Sequence, residues 1–167
     1  MLIIEDVIIG WEIRRMGKQA MTSNRWETID VDTKEGRVKG VAPVIISASR
    51  STDIPAFYSD WFMNRLRKGY VKWINPFNRK PQYISFAKAR VIVFWTKDAQ
   101  PVIPYLKEVD SKGINYYFLF TVNDYEKEGL EIGVRSLDKR IDTFKMLSER
   151  IGKDKVIWRF DPLILTD

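Results

Sequence analysis

Four short apolar runs, each followed by polar or charged residues, constrain this chain more than any other feature of its sequence. The runs cover residues 44–49, 91–95, 116–120 and 156–160. They are rich in β-branched and aromatic residues, which is typical of strands buried on both faces of a parallel sheet. In such sheets the chemistry lies just beyond the carboxyl ends of the strands. The pattern therefore predicts an enzyme-type scaffold with its functional face after these runs.

Helical segments separate the four runs. The first begins near Thr52-Asp53 and ends at Gly69, the second lies near residues 100–111, and the third carries its apolar side chains on one face between Leu137 and Ile151. Alternating strands and helices indicate βαβ units with right-handed connections. An eight-stranded barrel typically takes about 250 residues, so four units correspond to half of one. We therefore predict an α/β fold over residues 43–167, namely a parallel (β/α) half-barrel of the TIM-barrel type, truncated after the fourth strand.

Residues 1–42 differ from the rest and are predicted to form an N-terminal arm. Residues 26–32 and 37–41 alternate between apolar and polar side chains on either side of a turn at 33–36, which predicts a β-hairpin. Residues 1–25 fit either a strand or a short amphipathic segment. A second hairpin is predicted over residues 70–86, inserted between the first helix and the second strand.

Two absences narrow the possible chemistry. The chain has no cysteine and no histidine. It therefore contains no thiolate nucleophile, no cysteine-held iron–sulfur cluster and no imidazole base. Acid–base chemistry must use Asp, Glu, Lys or Tyr side chains whose pKa values are moved by their surroundings. No metal site is predicted.

Charge and hydropathy suggest partners and location. The formal net charge is +6, which favours acidic partners such as nucleic acid or an anionic small ligand, but charge alone is explained better by a solvated basic surface. No apolar stretch approaches the roughly 20 residues of a membrane-spanning helix, and acidic residues appear early in the chain. We expect a cytoplasmic protein with no membrane partner.

The last strand supplies one candidate for binding and one for catalysis. Arg159 lies inside an apolar run, so its guanidinium needs a partner. It is either a clamp for an anionic ligand or half of a structural ion pair with Asp161 or Asp53. Asp161 follows the strand directly and is a candidate for acid–base catalysis.

The loops after the first two strands carry the other charged candidates. Arg50 is placed to bind phosphate or carboxylate. Asp53 is a catalytic candidate, with helix capping as the alternative. Lys97 is a candidate anion ligand, base or Schiff-base amine, or else a surface lysine.

Uncharged polar residues complete the predicted site. Thr96, Thr121 and Asn75 are candidates for hydrogen bonds to a ligand, and Asn123 is another. Turn and strand-end roles are the alternative for the two asparagines.

A second surface combines aromatic and basic residues in the inserted hairpin. Aromatic side chains among lysines and arginines are typical of single-stranded nucleic-acid sites. The alternative is a hairpin that covers one end of the core. The residues are Tyr70, Trp73 and Tyr83 with Lys68, Lys72, Arg79 and Lys80.

From Val44 onward the sequence resembles one family of bacterial and archaeal proteins, "domain of unknown function 1848". The resemblance is carried by four segments. These are Ile46-Ser47-Ala48-Ser49-Arg50-Ser51-Thr52-Asp53-Ile54-Pro55-Ala56-Phe57-Tyr58, Asn75-Pro76-Phe77-Asn78, Val93-Phe94-Trp95-Thr96-Lys97 and Ile157-Trp158-Arg159-Phe160-Asp161-Pro162. A weaker resemblance, on Thr96-Lys97 and the arginine before Pro162, is to DNA-photolyase-like radical S-adenosylmethionine enzymes related to spore photoproduct lyase.

These resemblances imply an enzyme activity that needs cysteine residues absent from this chain. The family carries a cysteine cluster near its C-terminus, which implies an iron–sulfur cluster and S-adenosylmethionine in the full-length protein and no cofactor in this chain. We therefore expect the N-terminal half of a radical-type enzyme, inactive alone, whose partner is a missing C-terminal half or a second copy in a homodimer. The alternatives are a basic nucleic-acid-binding module and a decayed gene product without function.

Overall fold

The computed structural model describes residues 26–48, 52–74, 79–131 and 133–164, which contain eight strands and four α-helices. Two 3-10 turns cover Ile103–Tyr105 and Lys153–Lys155. The α-helices are α1 (Ile54–Phe57), α2 (Ser59–Lys68), α3 (Leu106–Ser111) and α4 (Leu137–Ile151). The strands are β1 (Glu27–Thr33), β2 (Gly36–Ala42), β3 (Ile45–Ala48), β4 (Tyr70–Ile74), β5 (Pro81–Ser85), β6 (Val91–Thr96), β7 (Asn115–Thr121) and β8 (Val156–Arg159).

One sheet is parallel and has the strand order β3-β6-β7-β8. One of its faces is buried, and a row of paired residues crosses it from Ala48 through Phe94 and Phe118 to Val156. The ring of Phe62 in α2 packs edge-on against Phe94 at 5.7 Å between centroids. Burial of these apolar rings is the main force that holds the helices on the sheet.

The other sheet is mixed and has the order β1-β2-β5-β4. It consists of two antiparallel pairs, β1 with β2 and β4 with β5. A short parallel pairing, Gly40 opposite Tyr83 and Val41 opposite Ile84, joins the pairs. The two predicted hairpin segments therefore associate with each other, and β4 and β5 are connected by residues 75–80, of which 75–78 lie outside the described ranges.

The predicted half-barrel is wrong. The described residues form two separate four-stranded sheets, and one of them contains antiparallel pairs, whereas a half-barrel is one curved parallel sheet. The prediction failed because it treated the arm and the inserted hairpin as additions to a barrel. Their free edges instead satisfy each other's backbone hydrogen bonds, which builds a second sheet. The α/β class itself is retained.

The local predictions were more accurate than the global one. Each of the four apolar runs forms a strand of the parallel sheet within two residues of the predicted bounds, and the first hairpin forms as β1 and β2. Gly69 ends α2 with a left-handed φ of 79°, which glycine adopts without steric cost. The predicted first helix is divided into α1 and α2 at Tyr58. Within the described ranges, no helix has both the length and the apolar character needed to cross a membrane.

Gly40 lies where the two hairpins pair with each other. A Cβ atom at this position would come within 2.7 Å of Val31 Cγ2 and 3.1 Å of the Tyr83 carbonyl oxygen. Because the second neighbour is backbone, Gly40→Ala is expected to lower the free energy of unfolding by about 1–3 kcal/mol, as overpacking does. Urea unfolding measures the change, with Arg37→Ala in the same strand as the control. An unchanged Gly40→Ala midpoint would show that the junction accommodates a methyl group.

Candidate functional site

A small cavity of about 100 Å³ lies beyond the carboxyl ends of β3 and β6. Three of its lining residues carry charged side chains, and two of these, Asp53 and Lys97, belong to the site predicted from the sequence. We refer to it as the strand-end cavity. Its lining residues are Asp53, Ala56, Phe57, Lys97, Asp98, Gly133 and Val134.

Asp53 joins the two loops that form this cavity. Its Oδ1 accepts a hydrogen bond from the Ala56 backbone N–H at 2.9 Å and so caps α1. Its Oδ2 accepts the Lys97 backbone N–H at 2.6 Å. Burial raises the pKa of Asp53 above its ordinary value, against the lowering effect of these amides and of the Thr96 hydroxyl. The capping alternative is thus correct, and the same carboxylate also faces the cavity.

Lys97 belongs to a charged network with Glu131 and Arg140. The Lys97 Nζ donates to Glu131 Oε1 at 2.6 Å, and Arg140 Nη2 donates to Glu131 Oε2 at 2.7 Å and to the Asn123 carbonyl at 3.0 Å. The side chains of Glu131 and Arg140 are 1% and 0% exposed. Burial by itself would raise the pKa of Glu131, but its two cationic partners together hold it below the ordinary value.

Arg140 is only partly satisfied by this network. Its Nε and Nη1 atoms are buried without a hydrogen-bond partner within the described part of the chain. Its guanidinium also lies 3.9 Å from Glu126. Glu131 is therefore the main group that stabilises the buried Arg140 charge, because few other groups replace the water that burial removes from the guanidinium.

Asp98 is held by a second ion pair. Arg135 donates to both of its carboxylate oxygens, at 2.6 and 2.5 Å, and to the Thr143 hydroxyl at 2.6 Å. Thr96 is buried, and its hydroxyl oxygen accepts the Asp98 backbone N–H at 2.9 Å. Thr96 therefore orients the turn that carries Lys97 and Asp98.

Arg159 lies at the other end of the sheet edge. Its Nη2 forms an ion pair with Asp161 at 2.7 Å, and its guanidinium lies 4.5 Å from the centroid of the Trp95 ring. The side chain is 28% exposed rather than buried. Thr121 pairs with Arg159 in the register of β7 and β8. These three site residues are close together, and none of them lines the strand-end cavity.

Asn123 fixes the connection that follows β8. Its Oδ1 accepts the Asp161 backbone N–H at 3.2 Å, and its Nδ2 donates to the Pro162 carbonyl at 3.5 Å. The residue is 1% exposed. This is the strand-end role that the sequence left open as an alternative for asparagine.

Two predicted ligand-binding residues, Arg50 and Asn75, lie outside the described residues. Of the aromatic and basic hairpin surface, Lys72 donates to both oxygens of Glu35 at 2.7 and 2.9 Å, and the Tyr83 hydroxyl donates to Glu35 at 2.7 Å. These groups therefore link the two hairpins of the mixed sheet. A nucleic-acid partner remains a prediction.

Glu131, Arg135 and Arg140 are not among the site residues predicted from the sequence. A signal for one of them was available, because Arg140 lies on the apolar stripe of α4 between Leu137 and Phe144, at helical spacing. A cation at such a position needs a buried anion nearby. The acidic loop before the helix contains that anion.

An iron–sulfur cluster does not fit the residues of this chain. The sequence has no cysteine, so its 167 residues offer no thiolate to such a cluster. Among the described residues, no group of three or more Asp and Glu side chains is placed to hold a metal ion.

Comparison with known proteins gives one match. A family model described as "Domain of unknown function (DUF1848)" matches residues 45–167, which is more than half of the 167-residue chain. The match includes all four strands of the parallel sheet and every lining residue of the strand-end cavity. No curated protein and no solved structure matches.

Proposed function

We propose that this chain, which belongs to the DUF1848 family, binds a small polar molecule in the strand-end cavity and exchanges a proton with it through Asp53. The observation that carries this function is a desolvated carboxylate in a cavity at the carboxyl ends of parallel strands, where ligands of α/β proteins bind. A raised pKa in a cavity is a common property of acid–base groups.

The neighbouring charges support a positioning role for Lys97 and Asp98. Glu131 and Arg135 hold these side chains from outside the cavity lining. Groups that are held in this way lose little conformational freedom when a ligand arrives. Lys97 is therefore placed to orient a polar ligand while Asp53 exchanges the proton.

Titration of small probes by NMR tests this function. The Lys97 and Ala56 amides donate to Asp53, so their chemical shifts report on its carboxylate. Ethylammonium, acetate and inorganic phosphate are the probes. At least one of them is expected to move both amide signals in a saturable way, and Asp53→Asn is expected to abolish the response. Asp142→Asn, which removes a charge from the exposed side of α4, is the matched control. The absence of a saturable shift with all three probes would contradict the proposed function.

The raised pKa of Asp53 also predicts how stability depends on pH. A folded-state pKa above the unfolded value gives stability that is present below the ordinary value of 3.8 and is lost as the pH rises through the folded-state pKa. Asp53→Asn removes this loss, so its free energy of unfolding should increase relative to wild type as the pH rises. Urea unfolding between about pH 3 and pH 7 measures the difference. If the free energies of unfolding of Asp53→Asn and wild type differ by the same amount at every pH, burial does not raise the pKa of Asp53.

A further inference from the structure

An aromatic groove of about 450 Å³ lies on the surface formed by α1, the start of α2 and the segment before α3. Its lining includes Phe57, a residue that is 59% exposed. A large exposed ring in a concave surface is characteristic of a binding site rather than of ordinary surface. The lining residues are Ala56, Phe57, Tyr58, Ser59, Asp60, Trp61, Pro101, Pro104 and Tyr105.

The aromatic groove adjoins the strand-end cavity. Ala56 and Phe57 line both of them, so the two spaces share part of their wall. A molecule whose polar end reaches Asp53 would therefore place its remainder against Phe57. This shared wall places the groove beside the proposed site.

The charges around the combined site favour a cation. Asp98 and Lys97 are each paired with a group outside the lining, namely Arg135 and Glu131. Asp53 has no ion-pair partner among the residues that the structure describes, and its two amide partners are uncharged. Asp60 in the groove is hydrogen-bonded to the neutral Tyr105 hydroxyl. The described residues that line the two spaces thus carry three carboxylates and one ammonium group, although the whole chain has a net charge of +6.

We infer that the ligand of the strand-end cavity is a small organic cation with a flat apolar body. Its ammonium group binds the Asp53 carboxylate, and its ring system lies in the aromatic groove against Phe57 and Trp61. Aromatic faces attract cations and stack on flat apolar rings, so both parts of such a molecule are complemented. This inference rests on the proposed function of the cavity and adds the chemical class of its ligand.

Tryptamine and 3-indolepropionate test this ligand class because they share an indole ring and carry opposite charges. We expect tryptamine to shift the Lys97 and Ala56 amide signals and to bind at least about tenfold more tightly than 3-indolepropionate, which corresponds to about 1.4 kcal/mol. Asp53→Asn should remove this preference. Phe57→Ala should weaken tryptamine binding several-fold, and Phe160→Ala, at a 48% exposed residue that lines neither space, should not.

The outcomes separate this inference from the proposed function. If 3-indolepropionate binds as tightly as tryptamine, or if Phe57→Ala leaves tryptamine binding unchanged, the inferred ligand class is wrong. If ethylammonium, acetate or phosphate still gives an Asp53-dependent shift in that case, the proposed function stands without it. If neither the small probes nor tryptamine shifts the two amides, both are wrong.

Discussion

Glu131→Ala is expected to lower the free energy of unfolding by about 3–5 kcal/mol, because it leaves the Arg140 guanidinium buried without its closest counter-charge. Arg140 is fully buried, and after the substitution its remaining partners would be the Asn123 carbonyl at 3.0 Å and the more distant, 43% exposed Glu126 carboxylate at 3.9 Å. Lys97 would lose its anion as well. Urea unfolding at neutral pH measures the loss.

An exposed ion pair provides the matched control for this prediction. Arg67 and Glu108 form a bidentate pair at 2.8 and 2.6 Å whose side chains are 48% and 32% exposed. Glu108→Ala should therefore cost no more than about 1 kcal/mol. If Glu108→Ala and Glu131→Ala lower the free energy of unfolding by similar amounts, burial is not what makes the Glu131–Arg140 pair more important for stability. The double variant Glu131→Leu with Arg140→Met removes both charges and should recover much of the stability.

The same network predicts a loss of stability in acid. Although burial would raise the pKa of Glu131, Lys97 and Arg140 lower it, so its stabilising contribution is present above the ordinary value of 4.5 and is lost as the pH falls through the folded-state pKa. This sign is opposite to that of Asp53. Comparison of Glu131→Gln with wild type across the acid range separates the two contributions.

Phe94→Ala is expected to have an effect of similar size, about 3–5 kcal/mol, because a cavity would form in the centre of the core. The Phe94 ring is fully buried, stacks on Phe118 at 5.0 Å between centroids and meets Phe62 at 5.7 Å. It lies two residues before Thr96 in β6, so the cavity would also loosen the strand that carries the site. Chemical denaturation measures the change in stability.

Phe160→Ala provides the comparison for Phe94→Ala. The Phe160 ring packs edge-on against Tyr125 at 6.0 Å between centroids but remains 48% exposed. Its truncation should change the free energy of unfolding by less than about 1 kcal/mol, because solvent already surrounds much of the ring. Equal losses in the two variants would mean that Phe94 is not at the centre of the core.

Local structure was readable from the sequence because it depends on local patterns. The runs 91–95 and 116–120 are apolar on both faces, and their ends are marked by turn residues, so β6 and β7 were located closely. The pairing of the two hairpins in one sheet could not be predicted from the sequence. The pairing of Gly40 with Tyr83 joins residues far apart in sequence, and neither segment carries a pattern that names its partner.

Two residues of the strand-end cavity were visible in the sequence because they, too, are marked by a local pattern. Asp53 and Lys97 follow strands, and position at a strand end is visible in sequence. Glu131 was missed because its loop contains several acidic residues and no local sequence pattern marks the one that is buried. Only its short distance to Arg140 in the structure distinguishes it. The partner of a buried charge is decided by tertiary structure, so the sequence shows the need for a partner but not its identity.

The double role of Asp53 links ligand binding to motion in the backbone. One carboxylate oxygen holds the first turn of α1 and the other holds the start of the loop after β6, so protonation or a bound ammonium competes with both anchors at once. The helix has only four residues and depends heavily on its cap. Occupation of the cavity should consequently change how often α1 opens locally, and amide hydrogen exchange at Phe57 and Tyr58 would register it even where the average structure does not change.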